Sequence, residues 1–278
     1  MKPIAQQTIL ITGSSDGLGK QTALALAKQG ATVLLHGRDQ QRLEASRQAI
    51  LEETGNSHVE AYLADFADLS EVRKLAQTLQ AQHPRLDMLI NNAGIGAGKI
   101  AEARRELSRD GYELRFAINY LAPFLLTHLL LPCLRQTPPA RIINVGSVGQ
   151  SPIEFSDVML ERHYDPADAY RQSKLALTMF TFDLAEELKG EQITVNCLHP
   201  ASLMNTRMVY ESLGYALSTV EEGREAVMYL ATSPALDNVT GKYFDQRRQA
   251  RAHSQAYDLA ARRRLQQLSE QLTGLSNP

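Results

Sequence analysis

Short apolar runs alternate with segments of helical period along nearly the whole chain, and no feature restricts its fold more. Residues 8–12 (TILIT), 31–36 (ATVLLH), 58–63, 86–90 (LDMLI), 141–145 (RIINV) and 192–198 read as strands, with 242–244 a short last one. Helical patterns fill 17–29, 39–53, 69–82, about 105–135, 168–189 and 219–232. Strands that are almost continuously Val, Ile and Leu are buried on both faces, so they predict a parallel sheet with helices on either side. Parallel neighbours need crossover connections, and these are right-handed. Neither a repeat nor a linker interrupts the rhythm, so residues 1–245 read as one α/β domain.

The tail, residues 246–278, has a different character. Tyr257, Ala261, Leu265, Leu268 and Leu272 recur at spacings of 4, 4, 3 and 4, which is the period of an amphipathic helix. Arg262, Arg263 and Arg264 then fall mainly on its solvated side. A basic helical extension packed on the domain is expected.

Charge and composition exclude several classes. With 29 basic and 31 acidic residues in 278, the chain has no global electrostatic reason to hold nucleic acid. Cys133 and Cys197 form no C-x-x-C pair, and Cys197 sits in an apolar run as a buried thiol would. No histidine pair has H-x-x-x-H spacing, and no metal site is expected. The longest apolar stretch, residues 120–132, falls short of the ~20 residues that span a bilayer. The first residues are too polar and too few before the first strand for a signal peptide. These features predict a cytoplasmic protein with no transmembrane segment.

The first strand runs into Thr12-Gly13-Ser14-Ser15-Asp16-Gly17-Leu18-Gly19, and a helix starts at once. Glycines here serve three ends: a tight turn, close backbone approach to a pyrophosphate, and close packing of helix on strand. The positive end of the helix dipole then faces the phosphates. A purely structural strand-to-helix turn is the bland alternative. The second strand ends at His36-Gly37-Arg38-Asp39. NAD enzymes usually place a carboxylate here for the ribose 2′-hydroxyl, and NADP enzymes an arginine for the 2′-phosphate. Gly37 and Arg38 favour NADP(H) over NAD(H), and Asp39 is better placed as the N-cap of the next helix. The competing reading of Arg38 is an ordinary surface arginine.

Residues 12–19, Asn91-Asn92-Ala93-Gly94, Asn119, Ser147 and Tyr170-Arg171-Gln172-Ser173-Lys174 together resemble the motifs of the short-chain dehydrogenase/reductase family. They occur in the family's order, each at the expected element end, and the resemblance covers about residues 8–245. Residues 110–131 and the wide gap from 147 to 170 look most like the retinol-dehydrogenase-like branch.

The resemblance implies a Rossmann-type doubly wound parallel sheet of about seven strands. It implies hydride transfer between NADP(H) and a carbonyl or alcohol, in a homodimer or homotetramer. By the same analogy Gly13, Ser15, Asp16, Gly17, Leu18 and Gly19 hold the dinucleotide, and Asp65 and Phe66 contact the adenine. Asn92, Ala93 and Gly94 line the adenosine-ribose side, while Pro200, Leu203 and Thr206 meet the nicotinamide side. Lys174 grips the ribose hydroxyls, and Asn119 holds a water that links Lys174 to solvent. The family's Pro-Gly is His199-Pro200-Ala201 in this chain, which puts the local contacts in question.

The chemistry of these residues is coherent. A free phenol has a pKa of about 10, too high for a base near neutrality. Tyr170 and Lys174 lie at i and i+4, neighbours on one helix face, so the ammonium is expected to lower the phenol's pKa. Ser147 hydrogen-bonds the substrate oxygen, with Ser151 its competitor for that role. Residues 151–166 and 203–217 flank the expected pocket. The first carries Ile153, Phe155, Met159, His163 and Tyr164, the second Met204, Met208, Tyr210, Leu213 and Tyr215. Such a lining suits an apolar or aromatic carbonyl compound; equally, these side chains could pack the flanks against the core. The competing class is a dinucleotide-binding sensor or scaffold of the same fold without catalysis.

Overall fold

The computed structural model describes residues 1–98 and 104–275. Its elements are β1 (Thr8–Ile11), α1 (Gly17–Ala27), β2 (Thr32–Gly37), α2 (Gln40–Thr54), β3 (Val59–Leu63), α3 (Leu69–Gln82), β4 (Met88–Asn91), α4 (Leu114–Leu134), β5 (Ala140–Val145), α5 (Pro166–Glu187), β6 (Ile193–His199), α6 (Arg207–Leu213), α7 (Val220–Thr232), β7 (Lys242–Asp245), β8 (Arg248–Ala250) and α8 (Leu259–Thr273). The sheet order is β3-β2-β1-β4-β5-β6-β7-β8. Seven strands are parallel, and β8 pairs antiparallel with β7. The eighth strand was not anticipated, because Arg-Gln-Ala has no apolar signature.

Alternate side chains of each strand feed two cores. Leu10, Leu34, Leu89 and Ile142 point to the layer of α3, α4 and α5. Ile9, Ile11, Val33, Leu35 and Met88 point to the layer of α1, α2 and α7. The strand order reverses between β1 and β4, and at such a switch point the two crossover directions leave a crevice beyond the carboxyl ends. The glycine turn and the Asn-Asn-Ala-Gly segment both begin there.

The fourth helix begins at Leu114, not near 105. Glu113 caps it, accepting from the Phe116 N–H at 2.7 Å. Just before it, Gly111 takes φ +84° and Ser108 N–H bonds the Tyr112 carbonyl, a tight turn that helical geometry cannot contain. Residues 117–121 of α4 are π-helical, a rare local widening that recurs at functional sites. Contrary to the expectation from residues 120–132 alone, Leu114–Leu134 is by length and composition apolar enough to cross a membrane, but 83% of its apolar window is buried inside the domain. The short helix α6 was also not anticipated. It is bounded by Thr206 as N-cap and by Gly214 in the left-handed region.

The tail forms α8 and packs on the domain through Ala261 and Leu265. Tyr120 and Ser269 hydroxyls meet at 2.6 Å, and the Tyr112 hydroxyl donates to the Leu272 carbonyl at 2.8 Å. Two expectations need correction. Tyr257 is exposed, and Arg262 is nearly buried, its guanidinium paired with Asp183. A charge fits on the packed side because its partner is there to receive it. Residues 276–278 of the predicted extension lie outside the described residues.

Candidate active site

The glycine turn is braced from below. Thr12 Oγ1 accepts from the Asn92 and Ala93 N–H groups at 3.0 and 2.9 Å. Asn92 Nδ2 donates to the Thr12 and Gly13 carbonyls at 2.8 and 3.0 Å. The Asn92 amide is therefore occupied in holding the turn. Gly13 has φ +65°, and a Cβ there would meet Ala93 Cα at 2.7 Å. A Cβ on Gly19 would come within 2.3 Å of the Gly13 carbonyl oxygen. Asp16 caps α1, accepting from the Gly17 N–H. Leu18 is buried in the α7-side core, so only its backbone is placed for a ligand.

His36 has a role that the sequence reading missed. Its Nδ1 accepts from the Gly13 N–H at 3.2 Å, its Nε2 lies 3.1 Å from the Ala64 carbonyl, and its ring stacks on Phe66 with centroids 4.2 Å apart. Both contacts require the neutral, Nε2-protonated tautomer, because a nitrogen that accepts from an N–H cannot carry a proton. Phe66 is thus buried as the partner of His36, and Asp65 accepts from the Ala67 N–H beside it. A histidine in an apolar strand carries no signal of this kind; only the meeting of β2 with the glycine turn creates it.

Burial lowers the His36 pKa to about 4, against the lesser raising effects of the Ala64 hydrogen bond and Asp65. The unfolded imidazole takes its proton near pH 6.5, so between these values the unfolded chain binds more protons. Acidification through that window is expected to remove up to ~3 kcal/mol of stability, with none of the effect above pH 7. Urea unfolding at pH 7 and pH 4.5 checks this. A His36→Asn variant should lose less stability over the same interval, and an equal loss in the variant would remove His36 as the cause.

Gly37 admits Ser15, whose Cβ and Oγ would lie 3.2 Å from a Cβ at that position. Asp39 caps α2 as expected, accepting from the Arg42 N–H at 3.0 Å. Arg38 projects from the end of β2, exposed, with no side-chain hydrogen bond or ion pair to a described residue.

On the other side of the crevice, Ser147 follows β5, and Tyr170 and Lys174 lie on α5. Tyr170 lies beside Ser147: a Cβ on Gly149 would stand 3.5 Å from Ser147 Oγ and 4.0 Å from Tyr170 Cε1, and Ser147 Oγ accepts from the Gly149 N–H at 3.0 Å. Ser151 makes no side-chain hydrogen bond to a described residue. Lys174 Nζ donates to the Val145 carbonyl at 2.9 Å and lies 5.9 Å from the Tyr170 ring centroid. Asn119, in the π-helical stretch, accepts from the Ile95 N–H at 2.8 Å and donates to the Ile95 carbonyl and Ser173 Oγ at 3.0 Å each. A Cβ on Gly94 would stand 3.1 Å from Asn119 Oδ1 and 3.4 Å from Lys174 Nζ. Glycine at this position lets the backbone pack closely against Asn119 and Lys174.

The electrostatic expectation needs correction. Burial raises the Tyr170 pKa above its ordinary value, and the neighbouring Ser147 side chain only partly opposes it. Burial also pulls Lys174 down to about 8. With both groups desolvated and the ammonium directed at a carbonyl, the polypeptide by itself keeps the phenol protonated at neutral pH.

Pro200 and Ala201 are buried. Ala201 needs no left-handed backbone; Leu203 takes that role, with φ +49°. Thr206 reaches the glycine turn, its Cγ2 being 3.4 Å from a Cβ at Gly17. The two flanks differ. Ile153, Phe155 and Met159 pack on the core, so there the packing alternative holds. Met208, Tyr210, Leu213 and Tyr215 on the second flank are exposed, as is His163 on the first.

This arrangement of sheet, crevice and side chains is that of a short-chain dehydrogenase/reductase, and the chain belongs to that family: the short chain dehydrogenase profile matches residues 7–214. It is an oxidoreductase of this class. The chain is similar to human retinol dehydrogenase 13, with 36% identity across 99% of this chain and 87% of that one. Among solved structures it resembles a Mycobacterium paratuberculosis protein at 32% identity, TM-score 0.80, over 99% and 96% of the two chains. It also resembles Pseudomonas aeruginosa RhlG, solved as an NADP active-site complex, at 29% identity, TM-score 0.72, over 88% and 97%.

Proposed function

We propose that the protein is an NADP(H)-dependent carbonyl reductase or alcohol dehydrogenase acting on an apolar or aromatic substrate, with Tyr170 as acid/base. The observation that supports this reading is Tyr170 beside Ser147, with Lys174 one turn away and Gly94 packed closely against Asn119 and Lys174. The bound nicotinamide supplies or accepts the hydride. Ser147 Oγ and the Tyr170 hydroxyl then converge on one substrate oxygen. In reduction the protonated phenol gives that oxygen its proton, and a raised pKa keeps the proton available at neutral pH. Lys174 holds the ribose beside it. Asn119 acts by fixing the Ile95 backbone, which keeps Gly94 in front of Lys174. The exposed apolar side chains of α6 favour an apolar substrate. The test is a carbonyl and alcohol panel followed by nicotinamide absorbance with both cofactors. Turnover that prefers NADPH supports the proposal, and tight NADPH binding with no turnover across the panel favours the non-catalytic scaffold.

The cofactor preference rests on Arg38. A charge-assisted contact to the 2′-phosphate contributes about 1.5–3 kcal/mol, so Arg38→Leu is expected to weaken NADPH roughly 10- to 150-fold. NADH affinity should stay within about threefold, since its ribose hydroxyl offers the guanidinium no charge. Fluorescence titration measures both. Parent protein that binds NADH more tightly than NADPH would show that the tip of β2 has been misassigned.

A further inference from the structure

Arg115 is nearly buried on α4, four residues before Asn119. Its Nε donates to the Gly96 carbonyl at 3.1 Å and its Nη2 to the Ala97 carbonyl at 2.7 Å. Its Nη1 donates to the Tyr164 hydroxyl at 2.6 Å and lies 3.4 Å from Glu113 Oε1. Tyr164 in turn donates to Glu113 Oε1 at 3.2 Å, and Glu113 Oε2 accepts from the Phe116 N–H. The guanidinium and the carboxylate are both buried, and each is satisfied by the other and by this hydroxyl.

The geometry joins three segments around the site. Residues 94–97 carry Gly94, and they are held at Ile95 by Asn119 and at Gly96 and Ala97 by Arg115. Tyr164 directly precedes Asp165, the N-cap of α5, which accepts from the Asp168 N–H at 2.8 Å. The Tyr170 acid/base lies in the first turns of that helix. Arg115 thereby spans from the segment in front of Lys174 to the start of the helix that carries Tyr170. Its fork of donors suits the task, since one rigid plane reaches two carbonyls and a hydroxyl at once.

We infer that Arg115 is a positioning residue: through Tyr164 and the Gly96 and Ala97 carbonyls it sets Tyr170 against the cofactor side of the crevice. The inference rests on the proposed role of Tyr170. It assigns Arg115 no contact with substrate, since its donors are directed at carbonyls, Tyr164 and Glu113.

Tyr164→Phe keeps the ring and removes the hydroxyl. It is expected to lower kcat for carbonyl reduction about tenfold, because small misplacements of a reacting group are costly, with NADPH affinity within about twofold of the parent. Arg115→Lys cannot span both carbonyls, and it should lower kcat about a hundredfold and weaken NADPH about tenfold. The double variant should be no slower than Arg115→Lys alone, because both changes cut one path. Steady-state kinetics with NADPH titration reads all of these. Parent-like kcat in Tyr164→Phe, or multiplicative losses in the double variant, overturns the inference. If Arg115→Lys does not fold, Tyr164→Phe decides alone. An active Tyr170→Phe variant would bring down the underlying reading instead. An inactive Tyr170→Phe beside a Tyr164→Phe as fast as the parent would bring down only this one.

Discussion

Tyr170→Phe is expected to lower kcat for carbonyl reduction by about three orders of magnitude, within the range that a positioned acid or base contributes. The substitution leaves the ring and its packing in place. Lost is the proton that the reduced oxygen requires. Tyr243, on β7, is not free to substitute, since it donates its hydroxyl to the Ser147 carbonyl and is buried. Affinity for NADPH should stay within about threefold of the parent, since Lys174 and the glycine turn are untouched, so that the loss lies in kcat. Single-turnover reduction, with the parent's best substrate, makes the measurement independent of product release. Turnover within tenfold of the parent would end the assignment of Tyr170.

The second large effect is expected at Gly19. An alanine methyl would lie 2.3 Å from the Gly13 carbonyl oxygen and 2.5 Å from Asn92 Nδ2. The first of these is backbone and cannot rotate away. Either α1 moves off β1 or the turn opens, and both break the Asn92 hydrogen bonds to Thr12 and Gly13. Overpacking of this kind costs about 1–3 kcal/mol of stability. The larger consequence is for the cofactor, since the displaced backbone N–H groups are those that would face the pyrophosphate. NADPH affinity should fall roughly a hundredfold, equivalent to ~3 kcal/mol. Gly55→Ala is the control: at φ +65° an alanine there is strained and also lowers stability, but its Cβ meets nothing within 4 Å and leaves the glycine turn untouched. A Gly19→Ala protein that binds NADPH like the parent would separate the glycine turn from cofactor binding.

The ease of reading different parts of this chain has a physical basis. The seven parallel strands were legible because burial on both faces leaves strands such as Leu10-Ile11 and Ile142-Ile143 no polar choice. The turn at residues 12–19 was legible because glycine is the residue that close backbone approach demands. Tyr170 and Lys174 were legible as neighbours because helical spacing alone brings i and i+4 together. The start of α4 was misjudged because the apolar period extends backwards past a turn that Gly111 makes. The role of residues 151–166 stayed open between two readings, because an apolar side chain in an irregular segment reads the same whether it faces a ligand or the core.

From its own sequence, then, this chain determined a doubly wound sheet, the location of its crevice and the residue types available there, because periodicity and glycine act over a few residues. The tertiary structure alone decided which groups meet: His36 at the glycine turn, Arg115 beneath residues 96 and 97, and Tyr170 above its ordinary pKa rather than below it. These outcomes depend on burial and on partners drawn from distant segments, and neither is encoded in local spacing.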